Sequence, residues 1–225
     1  MKKMFLTILS GIIIISLILG SIILWTNITN RRININTASI NPLTSKGISL
    51  SNPQRIDFSV RTAVVQIKSG TSSKLQFDNI SNDQYHLTKH NNILKITENN
   101  ALKHQLEIGK SPKITLTIPQ KAIDSLVIEQ LNGTLKLNDL TIDHLKIHHH
   151  NGTTLSKNLT IKSTSKLIKD NGETTLTNLN VSGLVVNVKT GQFKLNGKKQ
   201  IKNYRDSGHD PLTINSGSGQ VSVTN

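Results

Sequence analysis

The 225-residue chain has no cysteine, 3% aromatic residues and only 13 acidic residues against 27 Lys and Arg. The lack of cysteine excludes a disulfide framework, thiolate metal sites, a cysteine nucleophile, c-type haem attachment and a lipid-modified N-terminal cysteine. Few aromatics leave little for bases to stack on, so no nucleic-acid partner is expected. Few carboxylates argue against sugar cleavage, which needs a placed pair of them. The length holds one domain or two small ones, which excludes large multidomain enzymes. What the chain does have is a formal charge of +14 and one long apolar run.

That run covers residues 4–25, MFLTILSGIIIISLILGSIILW, without a charge. As a helix it is about 33 Å long, enough for a hydrocarbon core of about 30 Å. More than a dozen Ile and Leu residues plus Phe5, each favouring insertion by about 0.3–0.6 kcal/mol, make membrane insertion independent of any protein partner. The run is longer than the ~7–15 apolar residues of a cleaved leader, and no small-x-small site follows it, so a retained signal anchor is expected. Lys2 and Lys3 precede the span while Arg31 and Arg32 follow it, which leaves the positive-inside rule ambiguous. A tiny basic head, one span and a long body read instead as an exported chain, with residues 1–3 cytoplasmic and the C-terminal part outside. Lys2 and Lys3 then face the inner interface and Trp25 the outer one.

Residues 26–55 are polar, with turn signals at Asn41-Pro42 and Asn52-Pro53, and read as a linker or stalk. From residue 56 alternation takes over, as in Ile56, Phe58 and Val60, and most cleanly in Lys113-Ile114-Thr115-Leu116-Thr117-Ile118-Pro119. Outside the apolar run only roughly 30% of residues are apolar, below the usual ~45–50%. A thin core is implied. Asn132-Gly133, Asn151-Gly152, Asn171-Gly172 and then Thr190-Gly191 recur at about 20 residues, with Leu140/Ile142, Leu159/Ile161 and Leu179/Val181 in step. Such units bury a narrow core only by stacking. The glycines supply corner residues of positive φ, and the asparagines can form hydrogen-bonded ladders. A β-hairpin at each Asn-Gly is the competing reading. The even spacing favours a β-solenoid, a single-stranded-coil β-helix over 56–225, so the chain is expected to be all-β behind one N-terminal transmembrane helix.

These runs, with Leu126-Val127-Ile128, Asn132-Gly133-Thr134-Leu135-Lys136-Leu137 and the closing Leu212-Thr213-Ile214-Asn215-Ser216-Gly217-Ser218-Gly219-Gln220-Val221-Ser222-Val223, resemble the bacterial family called putative adhesins, or LiaG-like proteins. The resemblance covers 56–225. It implies a β-solenoid on the outer face of a cell membrane, linked to adhesion or envelope stress, with no catalytic residues to carry over.

Candidate chemistry is sparse. On a strand His148 and His150 share one face and His149 the other, and with His144 they are the only candidate metal ligands. A structural zinc site needs three or four convergent ligands, so no metal or cofactor is expected. Asp139, Asp143 and Asp170 are scattered, and Ser207-Gly208-His209-Asp210 has triad residue types but no nucleophile elbow around them. No enzyme is expected. Lys198, Lys199, Lys202 and Arg205, around Tyr204, interrupt the period and read as an exposed basic loop suited to an anionic polymer. The expected protein is a non-enzymatic binding or scaffold module at the bacterial envelope. Its partners would be the bilayer and an anionic wall polymer or an envelope membrane protein. The alternatives are a surface adhesin, though no sortase signal is present, and a polysaccharide-active enzyme.

Overall fold

The computed structural model describes residues 2–119 and 123–225, with side chains from residue 4 onward. Helix α1 (Lys2–Thr29) contains the apolar run and continues one turn beyond Trp25. In that last turn Thr26 Oγ1 and Asn27 Nδ2 both donate to the Ile23 carbonyl and Thr29 Oγ1 to that of Trp25, which lets polar residues stay helical. Asn30, at φ 55°, ends the helix in the left-handed conformation that asparagine tolerates. The stretch Met4–Thr29 is long and apolar enough to cross a membrane, and its apolar side chains are uncovered by the rest of the protein.

Among the described residues, those after α1 form β-strands joined by turns, loops and one short 3-10 turn. The strands are β1 (Arg31–Asn34), β2 (Ser39–Pro42), β3 (Thr44–Ser49), β4 (Arg55–Gly70), β5 (Lys74–Ile80), β6 (Tyr85–His90), β7 (Ile93–Glu98) and β8 (Glu107–Ile108). They continue with β9 (Lys113–Pro119), β10 (Ile123–Ile161), β11 (Ser165–Asn180), β12 (Gly183–Leu195), β13 (Lys198–Gln200), β14 (Asn203–Arg205) and β15 (Pro211–Val223). The long strands stack in parallel. Ile96 pairs with Phe58, Phe58 with Ile128, Ile147 with Leu167, Leu167 with Ile214 and Ile214 with Val186. β10 is long enough for two coils, one lying over the other at Gly133 and Gly152. The inward alternate residues of this stack form one continuous apolar cluster, which is how a chain poor in apolar residues secures a core.

The stack is β-solenoid-like, but it does not follow chain order. Thr190-Gly191 does not succeed Asn171-Gly172: β15 lies between β11 and β12, and Gly219 sits between Gly172 and Gly191. The C-terminal strand is thereby paired on both sides, and β12 becomes the outer coil. Its edge is covered by β13 and β14, both antiparallel to it. Residues 198–205 are therefore two short edge strands and not a loop. At the other end β6 covers β7 and β5 covers β9, again antiparallel, with β3 outermost. Short, charged antiparallel strands at both ends keep the parallel stack from pairing with other chains.

The stretch 26–55, expected to be a stalk, contains β1, β2 and β3. β1 pairs with β2 and β8 in a small separate sheet, and β3 joins the main one through β5. Its anchor is Arg32, a fully buried side chain. Only Asn30 separates α1 from β1.

Candidate functional site

Two columns of corner residues fix where every outward side chain stands. At the first, Asn132 donates to Thr62 Oγ1 (3.3 Å), Asn151 to Asn132 (3.2 Å), Asn171 to Asn151 (2.9 Å), and Ser218 to Asn171 (2.7 Å). At the second, Asn158 donates to Asp139 (2.6 Å) and Asn178 to Asn158 (2.8 Å), all three residues at φ 54–57°. The second column escaped the sequence reading, although each of its residues directly precedes a core leucine: Leu140, Leu159 and Leu179. Between such corners the coils are held in register, so outward residues form rows running across the stack.

One row is basic. Lys146 pairs with Lys166, Lys166 with Thr213, Thr213 with Val185 and Val185 with Arg205. These side chains, with His144, Val127, Asn187 and Asn215, line an open groove of about 620 Å³ whose described lining includes no carboxylate. Among the described residues neither Lys146 nor Lys166 makes an ion pair, although neighbouring strands bring them within about 4.8 Å of register spacing. Arg205 thus joins lysines that lie far away in sequence. Lys198, Lys199 and Lys202 stand exposed on the end cap instead.

A second feature lies two residues further along the same face. The rings of His148 and His150 lie with centroids 3.9 Å apart and planes tilted by 33°. The adjacent coils add Glu129 on one side and Asp170 on the other, and His144 stays apart in the groove. Glu129 Oε1 is 3.4 Å from His148 Nδ1 and 2.7 Å from His150 Nε2. Asp170 takes the far nitrogens, Oδ1 at 3.3 Å from His148 Nε2 and Oδ2 at 2.6 Å from His150 Nδ1. Partial burial disfavours the charged form of His150, but hydrogen bonds to Glu129 and Asp170 outweigh it and raise its pKa. Burial disfavours the charged form of Asp170, but hydrogen bonds from His148 and His150 outweigh it and lower its pKa.

The other carboxylates picked out in the sequence are separately engaged: Asp139 in the second ladder and Asp143 with Lys162 at 3.7 Å. Asp210 accepts from Thr164 at 3.2 Å, and its backbone bonds Ser182, in the turn that also carries Ser207 and His209. The side chains of Lys2 and Lys3 lie outside the described residues. Trp25 is partly exposed on α1.

Facing inward behind the two histidines, His149 and Lys169 pair across coils and are fully buried. His149 Nδ1 meets Thr154 Oγ1 at 2.8 Å, while Lys169 Nζ and His149 Nε2 have no protein partner. Burial, reinforced by the neighbouring Lys169, pulls the His149 pKa down to about 4. Burial alone pulls Lys169 down to about 8. A lysine with a lowered native pKa costs stability in full below pH 8, and the cost fades as pH rises from about 8 to about 10.5, where the unfolded chain also loses the proton. Lys169→Met is therefore expected to stabilise the protein at pH 7 by on the order of 3 kcal/mol. Urea denaturation of the detergent-solubilised chain checks this, and the advantage should vanish above pH 10.5.

Stacked parallel coils carry the groove and the histidine cluster on one outer face. Residues 53–225 match the model of the Toastrack DUF4097 family, and the chain belongs to that family. The fold is similar to that of a putative cell adhesion protein from Clostridium sporogenes, at 13% identity over 81% of this chain and 99% of that one, with a TM-score of 0.54. Weaker likenesses are to a putative adhesin from Bacteroides fragilis (13% identity, 81% and 97% covered, TM-score 0.36) and to a putative lipid binding protein from Parabacteroides distasonis (11%, 80% and 96%, 0.28). No curated protein matches the chain.

Proposed function

We propose that the protein is a single-pass, N-in membrane protein whose body is a non-enzymatic, adhesin-like binding module of the LiaG-like type. In this reading residues 1–3 are cytoplasmic, residues 4–25 are a retained anchor with Trp25 at the outer interface, and the coils over 56–225, repeating at about 20 residues, face the cell envelope. The groove engages a phosphate-rich anionic wall polymer. The observation that carries the reading is the row that holds the Lys146–Lys166 pair and, further across the stack, Arg205, with no carboxylate in the described groove lining. Like charges directly opposed on neighbouring strands destabilise a sheet. A polyanion laid along the groove reverses the sign of that term. Lys198, Lys199 and Lys202 extend the positive surface at the outer coil. Placing β1 one residue after α1 supports a body held close to the bilayer.

Membrane vesicles of defined sidedness carrying the full chain test both parts together. Right-side-out vesicles are expected to capture a labelled phosphate-rich wall polymer, and inside-out vesicles are not. Lys146→Glu with Lys166→Glu should lower capture at least tenfold. Equal capture by both orientations, or capture indifferent to the charge reversal, contradicts the reading.

A further inference from the structure

We propose that Glu129, His148 and His150 form a binding site for a divalent transition-metal cation of the zinc, nickel or copper class, with Asp170 positioning the two imidazoles. One ligand atom from each of the three lies within 4.8 Å of the others. A tetrahedral ion with bonds of about 2.0–2.1 Å separates its ligands by about 3.3–3.4 Å. The 3.4 Å between Glu129 Oε1 and His148 Nδ1 already matches that edge. The 2.7 Å between Glu129 Oε1 and His150 Nε2 has to open by several tenths of an ångström, which rotation of the half-exposed Glu129 side chain supplies.

Asp170 decides which nitrogens are free. One of its oxygens faces His148 Nε2 and the other His150 Nδ1, so those two nitrogens carry their hydrogens towards the carboxylate. The lone pairs of His148 Nδ1 and His150 Nε2 are then left on the Glu129 side. A carboxylate that fixes the tautomer and direction of a ligating imidazole is the common outer partner of histidine metal sites. Here one carboxylate serves two rings. Two imidazoles and one carboxylate suit zinc, nickel or copper, whereas magnesium and calcium prefer all-oxygen sets. Three protein ligands leave the remaining coordination to water, on the outer face.

None of Glu129, His148, His150 and Asp170 lines the groove, so failure of this site and failure of the polymer reading are separate results.

The test is a calorimetric titration of ZnCl₂ into the detergent-solubilised full chain at pH 7.5 in a non-chelating buffer. One saturable site per chain is expected, and MgCl₂ should not compete. His148→Ala and His150→Ala should each weaken binding at least tenfold. Asp170→Asn should weaken it about ten- to a hundred-fold with Asp170→Glu recovering part of the loss, and His144→Ala should leave it unchanged. The melting temperature of each zinc-free variant shows that the body is folded. As a second readout, electron paramagnetic resonance of bound Cu²⁺ should show two nitrogen ligands in the parent and one in either alanine variant. Absence of a saturable site, binding that survives His148→Ala/His150→Ala, or equal loss in His144→Ala overturns the proposal.

Discussion

Gly152→Val is expected to abolish folding of the body. Gly152 has φ +115°, a conformation side chains rarely adopt, and a Cβ placed there would lie 2.0 Å from the Gly133 carbonyl oxygen. The obstacle is backbone on the next coil, which cannot rotate away. Relief would require separating the two halves of β10, and the separation would propagate, since Gly172 meets Gly152 at the same distance and Gly219 meets Gly172. A loss above about 4 kcal/mol is in the range reserved for such backbone conflicts and exceeds much of a domain's stability. Gly197→Ala is the control. Gly197 also has positive φ (+76°), but nothing lies within 4 Å of its Cβ position, so only the left-handed strain of about 1–2 kcal/mol applies. Circular dichroism should show sheet lost in the first variant and kept in the second.

Arg32→Ala should cost about 3–5 kcal/mol. The Arg32 guanidinium, 1% exposed, donates to Gln84 Oε1 at 3.1 Å and to the carbonyls of Asn79 and Lys110, and it pairs with Glu107 at 3.3 Å. One side chain therefore ties β1 to the turns after β5 and before β9. Truncation leaves a half-buried carboxylate and two carbonyls without their donor, which costs more than the pair was worth. Its neighbour Arg31 is exposed, and Arg31→Ala should change stability by no more than about 0.5 kcal/mol. Amide exchange would distinguish the two: Arg32→Ala should release protection in residues 31–34 and 107–108 first. The functional consequence is a body no longer fixed next to α1.

The alternation that defines core strands, in Ile114/Leu116/Ile118 or Leu145/Ile147, is a local property and could be read from sequence directly. So could the Asn-Gly corners, because only glycine fits a φ near +115° beneath another strand's carbonyl. The order of coils could not. Leu184 and Val186 carry the same pattern as Leu212 and Ile214, and nothing local tells which of the two strands packs next to β11. Arg32 in a polar stretch has no apolar periodicity to betray its burial. The histidine cluster was half legible: His148 and His150 share a strand face, while Glu129 and Asp170 join them only when the corner spacing of 19 and then 20 residues is carried over to outward positions. That spacing, applied to core residues alone, leaves the chemistry of the outer face unread.

Polymer capture by fixed groove charges must weaken with salt in proportion to the number of counterions displaced. With Lys146, Lys166 and Arg205 engaged, the slope of log affinity against log salt should be about −2, by the roughly −0.7 per contact of a single-stranded polyanion. Replacing Lys146 and Lys166 with Gln should bring it to shallower than about −1. A slope unchanged by those two substitutions, or binding independent of salt, would show that the polymer does not lie in this groove.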